Sequence, residues 1–157
     1  MFDKITPCLW FDGQAEDAAK FYVSIFPNSK ISEIAHYSEA GPGKPGSVLI
    51  VVFELDGVRF TALNGGPNFH FTEAVSFQIP CKDQKDVDYY WDRLIAGGGE
   101  GQCGWLKDKY GLSWQVVPTS IIELHMRGEP QKLKRMNEAM FKMKKLDVAT
   151  LERAYNS

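Results

Sequence analysis

Apolar residues along this chain fall into two rhythms that change over every dozen positions or so. Residues 5–12, Ile-Thr-Pro-Cys-Leu-Trp-Phe-Asp, read as a strand closed by Gly13. Ala15, Ala18, Ala19, Tyr22, Ile25 and Phe26 then recur at helical spacing until Pro27-Asn28-Ser29 stops the run. A second strand is predicted over 30–37. The Gly/Pro stretch 41–46 cannot hold regular structure and is expected to be a mobile loop. Residues 47–55 form a buried strand, Asp56-Gly57 a favoured hairpin turn, and 58–63 its partner.

The pattern then restarts. A strand is predicted over 74–80, and a helix over 85–95 with Val87, Tyr90, Trp91, Leu94 and Ile95 on one face. Gly97-Gly98-Gly99 ends that helix. A strand around 102–107, a turn at Tyr110-Gly111 and a strand over 112–117 follow. Pro7 and Ala74 stand 67 positions apart, but Gly57 and Gly111 only 54, so the second copy is 13 residues shorter. An internal duplication of a strand-helix-strands unit is the simplest account. Its bounds are 1–67 and 68–118, together one domain.

Residues 119–157 change character. They are rich in Lys, Glu and Met, with Leu133, Met136, Met140 and Met143 at helical spacing. Asp147 is placed to cap a last short helix carrying Val148, Leu151 and Tyr155. A Met stripe can serve as an adaptable binding surface. The plainer expectation is a helical arm packed on its own protein or on a second copy.

Charge and composition narrow the function classes. The 18 basic and 20 acidic side chains leave a net charge of −2, which gives no electrostatic footprint for nucleic acid. The longest apolar run, Val48 to Phe53, is too short to cross a bilayer, and the first residues do not read as a signal peptide. Cys8, Cys81 and Cys103 lack metal or redox spacing, and an odd number suits no disulfide framework. A reduced cytoplasmic protein without membrane or nucleic-acid partners is expected.

Strand parity sorts the side chains further. Phe60 and Ala62 alternate with Arg59, Thr61 and Leu63; Val75, Phe77 and Ile79 with Ser76 and Gln78; Trp114 and Val116 with Ser113, Gln115 and Val117. One face is apolar and belongs under the helices. The other collects Arg59, Thr61, Ser76, Gln78, Ser113 and Gln115, as expected for a surface holding a polar ligand or water, or groups bonded to one another. Asn64 ends a strand where its amide could meet a ligand. Trp105, with Phe69 and Phe71, offers flat walls. Glu54 is either a solvent-facing edge residue or a buried acid.

Several strings carry a family resemblance: Trp10-Phe11-Asp12-Gly13-Gln14-Ala15-Glu16-Asp17-Ala18-Ala19-Lys20-Phe21-Tyr22, then Ala62-Leu63-Asn64-Gly65-Gly66-Pro67, Asp88 to Leu94, Gln102 to Pro118 and Met143 to Asp147. Together they resemble the PhnB-like branch of the vicinal-oxygen-chelate (glyoxalase/bleomycin-resistance/dioxygenase) superfamily, often labelled 3-demethylubiquinone-9 3-methyltransferase. The resemblance implies an α+β fold in which two βαβββ modules form a half-open, barrel-like sheet cup, here with a C-terminal helical arm. It also implies a small-molecule ligand in the cup and a homodimer, and the Met-rich arm, a further sticky element, is expected to reach across.

Metal-dependent relatives carry His, Gln or Glu at four inward positions, which fall here on Pro7, Thr61, Ala74 and Gln115. Only Gln115 offers a good donor, whereas a catalytic cation wants about three protein ligands; no metal and no cofactor are therefore expected. His36, His70 and His125 match none of these positions. Cys103, in a Gly-rich stretch expected on the pocket side, has only Lys107 nearby to activate it. The ligand-binding candidates are Arg59, Thr61, Asn64, Gln78, Cys103, Trp105 and Gln115, with no catalytic residue assigned. Small-molecule binding, with metal-independent turnover as an extension, leads. A metal-dependent lyase or dioxygenase and a sequestering resistance-type protein compete. The methyltransferase label finds no Gly-rich turn between a strand and a helix.

Overall fold

The computed structural model describes residues 4–157, and the chain divides into two compact units, one ending at His70 and the other running from Phe71 to Ser157. The first contains β1 (Cys8–Phe11), α1 (Ala15–Ile25), β2 (Lys30–His36), β3 (Val48–Leu55) and β4 (Val58–Asn64). Its sheet has the order β1-β4-β3-β2, with β1 parallel to β4 and the other pairs antiparallel. Leu9, Phe11, Val51, Phe53, Phe60 and Ala62 are buried, as are Ala15, Ala18, Ala19, Tyr22 and Ile25 of α1. Alanines at 18 and 19 let the helix lie close to the sheet, and Tyr22 stacks on Phe53, which stacks on Phe60.

The segment expected to be a mobile loop is fitted to one ring. Gly46 N donates to Tyr37 O at 2.9 Å and Tyr37 N to Ser47 O at 2.8 Å, while the Tyr37 hydroxyl donates to Asn64 O at 2.5 Å. Gly41 and Gly43 lie against the Tyr37 ring, where a Cβ at either position would collide with it. These glycines serve close approach as well as freedom of turning.

The second unit repeats the plan with β5 (Ser76–Cys81), α2 (Gln84–Leu94), β6 (Gly99–Glu100), β7 (Trp105–Lys107) and β8 (Ser113–Pro118). Its sheet order, β5-β8-β7-β6, is the same as in the first unit, and β5 is parallel to β8. The α+β class with duplicated βαβββ modules holds, each built on an open four-stranded sheet. Two local expectations shift. The glycine run that ends α2 also supplies β6, a two-residue edge strand whose composition reads only as a breaker. The strand expected from Gln102 starts at Trp105, because Trp105 N closes a turn onto Gln102 O at 3.0 Å and Cys103 sits at φ 56°.

Residues 119–157 belong to this second unit. They form α3 (Thr119–Arg127), α4 (Pro130–Met140) and α5 (Val148–Asn156). Ile121, Met136, Leu146 and Leu151 make a buried cluster, with Leu133, Met140, Met143 and Tyr155 packed on it. Backbone bonds from Cys103 N to Met143 O (2.9 Å) and Gly104 N to Lys144 O (2.8 Å) tie the helices to the sheet. Gln84 adds two more, to Leu146 O and from Val148 N. The Met stripe thus packs within its own unit.

Candidate functional site

Register decides which side chains meet. In the second unit, β5, β8 and β7 place Ser76 opposite Ser113 and Ser113 opposite Lys107. The next row on the same face is Gln78, Gln115 and Trp105. The opposite face carries Ile79, Leu106, Trp114 and Val116, all buried, as the alternation predicts. One polar face therefore brings together Gln78, Trp105 and Gln115 with three residues outside the candidate set: Ser76, Lys107 and Ser113.

Hydrogen bonds on this face are unevenly shared. Gln115 Nε2 donates to Ser76 Oγ at 2.8 Å, and Gln78 Nε2 reaches Gln115 Oε1 at 3.4 Å. Lys107 Nζ pairs with Glu73 Oε1 at 2.5 Å, and this bond holds the Glu73 carboxyl below the usual carboxylate range. Ser113, only 1 % exposed, has a hydroxyl with no hydrogen-bond partner in the protein. Buried hydroxyls are nearly always bonded, so this one stands out. It lines a cleft of about 550 Å³ together with Trp105, Lys107, Glu73 and the glycines of 98–101. Opposite Lys107 in the edge strand is Gly99, whose missing side chain leaves open space.

Beside the cleft, Asp108 is 2 % exposed and takes three donors: Tyr110 N (2.8 Å), Leu112 N (3.1 Å) and the Trp114 indole (2.9 Å). It shapes the β7–β8 turn and so fixes the register that pairs Lys107 with Ser113. Nothing in its sequence setting separated this aspartate from a solvent-facing turn residue.

The remaining candidates lie elsewhere. Arg59 and Thr61 share a face of the first unit's sheet with Cys8, Trp10 and Glu54. Glu54 stands between Lys30 and Arg59 in register, and Lys30 Nζ lies 3.9 Å from it; it is a cross-strand partner on a partly exposed face. Asn64 points to the helix side: its Oδ1 accepts from Ala15 N at 2.9 Å and its Nδ2 donates to Val48 O at 3.0 Å. Cys103 does not share the polar face of β7; its Sγ lies 3.6 Å from Met140 O, against α4. The positive φ at Cys103 turns the side chain that way. Phe69 packs edge-on to Trp10, whose indole donates to Gly66 O.

A second cleft of about 370 Å³ opens in the first unit beside the start of α1, lined by Asp12, Glu16, Asp17, Tyr37 and Asn64. Acidic groups in a first turn are favoured by the helix dipole alone, and Glu16 already pairs with Lys20 at 2.8 Å.

Among the described residues, no group of three or more His, Cys, Asp or Glu side chains is arranged to hold a metal ion. Of the four positions that the family resemblance assigns to metal ligands, Pro7 and Ala74 have no side-chain donor, and the Gln115 amide is bonded to Ser76 and Gln78. This donor set does not fit a divalent cation. His125 joins α3 to α4 through Ile121 O and Asn137 Oδ1. No helix among the described residues is long and apolar enough to cross a membrane.

Two open sheets of identical strand order, each with one helix behind it, define the glyoxalase-like fold of the vicinal-oxygen-chelate superfamily. Residues 3–117 match the family described as 3-demethylubiquinone-9 3-methyltransferase, and the chain belongs to that family. The match stops short of the three C-terminal helices. A PhnB protein from Bacillus cereus, itself assigned only provisionally to that methyltransferase, is similar at 37% identity with a TM-score of 0.68, over 74% of this chain and 100% of that one. The protein PA1353 from Pseudomonas aeruginosa shares the fold at 14% identity and a TM-score of 0.62, over 73% and 96% of the two chains. The fosfomycin resistance protein FosX from Listeria monocytogenes does so at 16% and 0.54, over 81% and 100%. Comparison with curated proteins gave no match.

Proposed function

We propose that the polar sheet face of the second unit binds a small organic molecule in the cleft lined by Ser113, Trp105 and Lys107. The buried, unpartnered Ser113 hydroxyl carries this reading. Such a group costs about 1–3 kcal/mol while unsatisfied, and a polar ligand atom would recover that. Trp105 supplies a flat apolar wall beside it. Gln78 and Gln115, bonded to each other and to Ser76, form the neighbouring polar edge. Arg59 and Thr61 take the corresponding face of the first unit.

Among the described residues, the positions that the family resemblance assigns to a metal offer a poor donor set for lyase or dioxygenase chemistry. A methyltransferase using S-adenosylmethionine on the doubly wound fold would need a Gly-rich turn leading from a strand into a helix. The glycines at 97–101 instead follow α2, and those at 41–46 lie between β2 and β3. Binding without turnover, as in a sequestering protein, and metal-independent turnover are successive readings of one site. We place the protein in the cytoplasm as a homodimer. Exposed Val58 and Phe69 in one unit and Val75 in the other supply apolar contact surface; elution as a monomer in light scattering would remove the dimer from this reading.

The test is a fragment screen on the isotope-labelled protein, read by amide chemical shifts. Hits should shift Ser113, Trp105 and the 98–101 segment, and Ser113→Val should weaken them. Hits that shift only residues outside this cleft, or that bind Ser113→Val unchanged, would overturn the proposal.

A further inference from the structure

Resting on that reading, we infer that the ligand of the second unit is a small organic anion with a flat apolar body, whose acidic oxygen binds between Lys107 and Ser113. Three observations converge. Lys107 and Ser113 are opposed in register on antiparallel strands, so their side chains rise side by side from one face. The lysine ammonium has donors only, and the serine hydroxyl has a hydrogen to donate and no partner to receive it. A single ligand group that satisfies both must be an acceptor, and a carboxylate or similar oxyanion is the strongest acceptor for such a pair.

Glu73 supports the same conclusion. The group that now occupies the Lys107 ammonium is itself a carboxylate, at 2.5 Å, on a side chain 63 % exposed. A surface pair of this kind is weak and easily exchanged, so Glu73 stands in for the incoming anion and yields to it. Trp105, two residues from Lys107 on β7, then lies along the body of the ligand. Gly99 keeps the edge-strand side clear, since a side chain there would share the face with Lys107, and Gly101 lets the chain run close to the Trp105 backbone, where a Cβ would stand 2.8 Å from the carbonyl oxygen.

The acidic groups nearby do not oppose this arrangement. Asp108 is saturated by its three donors, and Glu100 pairs with Lys144 at 3.2 Å. Lys109 also lines the cleft and adds positive charge.

The experiment titrates the full chain with 2-naphthoate and with its neutral isostere 2-naphthamide, by calorimetry and by tryptophan fluorescence. The anion should bind about tenfold more tightly than the amide, as expected for one charged hydrogen bond. Lys107→Gln should erase that preference and leave 2-naphthamide unchanged. Glu73→Gln should tighten naphthoate binding by removing the competing carboxylate, and Trp105→Leu should weaken both probes and remove the fluorescence response. Both charge substitutions are at exposed positions and leave the core intact. Naphthamide binding as tightly as naphthoate, or Lys107→Gln leaving the naphthoate affinity unchanged, overturns this inference and leaves the binding site standing. Failure of both probes to enter the cleft overturns the inference together with the proposed function.

Discussion

Asn64 caps a helix that begins 49 residues earlier in the chain: its Oδ1 accepts the amide hydrogen of Ala15 at 2.9 Å. The residue before the helix, Gln14, makes no side-chain cap. The same amide donates to Val48 O, and the Asn64 carbonyl receives the Tyr37 hydroxyl. One side chain and its backbone thereby join β4, α1, β3 and the segment around Tyr37.

Replacing Asn64 by Ala should lower the stability of the first unit by about 1–2 kcal/mol, the usual size of a lost cap together with a lost side-chain bond. Asn64→Asp keeps the acceptor for Ala15 and loses the donor to Val48, so it should fall between. Chemical denaturation checks both. An alanine variant as stable as the parent would show that the cap is idle.

Asp108→Asn exchanges one acceptor for a donor that faces the Trp114 indole hydrogen. With both groups buried, the cost should be about 2–4 kcal/mol. Urea unfolding followed by near-ultraviolet dichroism of the tryptophans reads it. The same substitution should loosen the β7–β8 register and blunt naphthoate binding, although Asp108 touches no ligand.

Burial pushes the Cys81 thiol up to about 12, with the nearby Asp86 and Asp83 carboxylates adding to the effect. At pH 8 the thiolate fraction of such a group is about one in 10,000. Brief treatment of the native protein with a disulfide reagent at pH 8 should modify the exposed Cys8 and leave Cys81 intact until denaturant is added. Mass spectrometry of the digest separates the two. Native labelling of Cys81 at the rate of Cys8 would contradict its burial.

The junction between α2 and the C-terminal helices should weaken in acid. Asp88 is held below the ordinary carboxylate value, first by the Gln84 amide and then by Lys145; Asp147 is held low by the hydroxyl and amide of Thr150. For carboxyls whose pKa is depressed by folding, the stabilisation is complete above the unfolded value near 3.8 and fades as pH falls through the lower folded value. Hydrogen exchange of α5 should therefore rise as the pH drops below about 4, after correction for intrinsic rates. Asp88→Asn should flatten part of that rise, and an unchanged profile in that variant would remove Asp88 from the account.

Much of the fold was legible in the residue pattern. The periodic runs that became α1 and α2, the Asp56-Gly57 hairpin, the duplicated unit and the Asp147 cap, whose carboxylate accepts from Thr150 N, all depend on neighbours a few positions apart. So does the parity that put Gln78 and Gln115 on one face. The site was only partly legible. Gln78 and Gln115 were singled out by alternation and Trp105 as a flat aromatic wall, and Lys107 could have been added, since it shares parity with Trp105. Cys103 was assigned to a ligand surface because it lies in a Gly-rich stretch, and Asn64 because it ends a strand. Where the side chain goes from there depends on a left-handed backbone turn in one case and on a distant helix terminus in the other.

Local spacing, then, was enough to specify which segments coil, which extend, and which face of each is apolar. Those choices are made by backbone sterics and by the period of burial within one segment. It took the assembled chain to leave Ser113 without a partner, to set Lys107 beside it, and to spend the methionines of α4 inside the second unit. These outcomes are settled by strand register and by competition among distant donors and acceptors, and the pattern along the chain records neither.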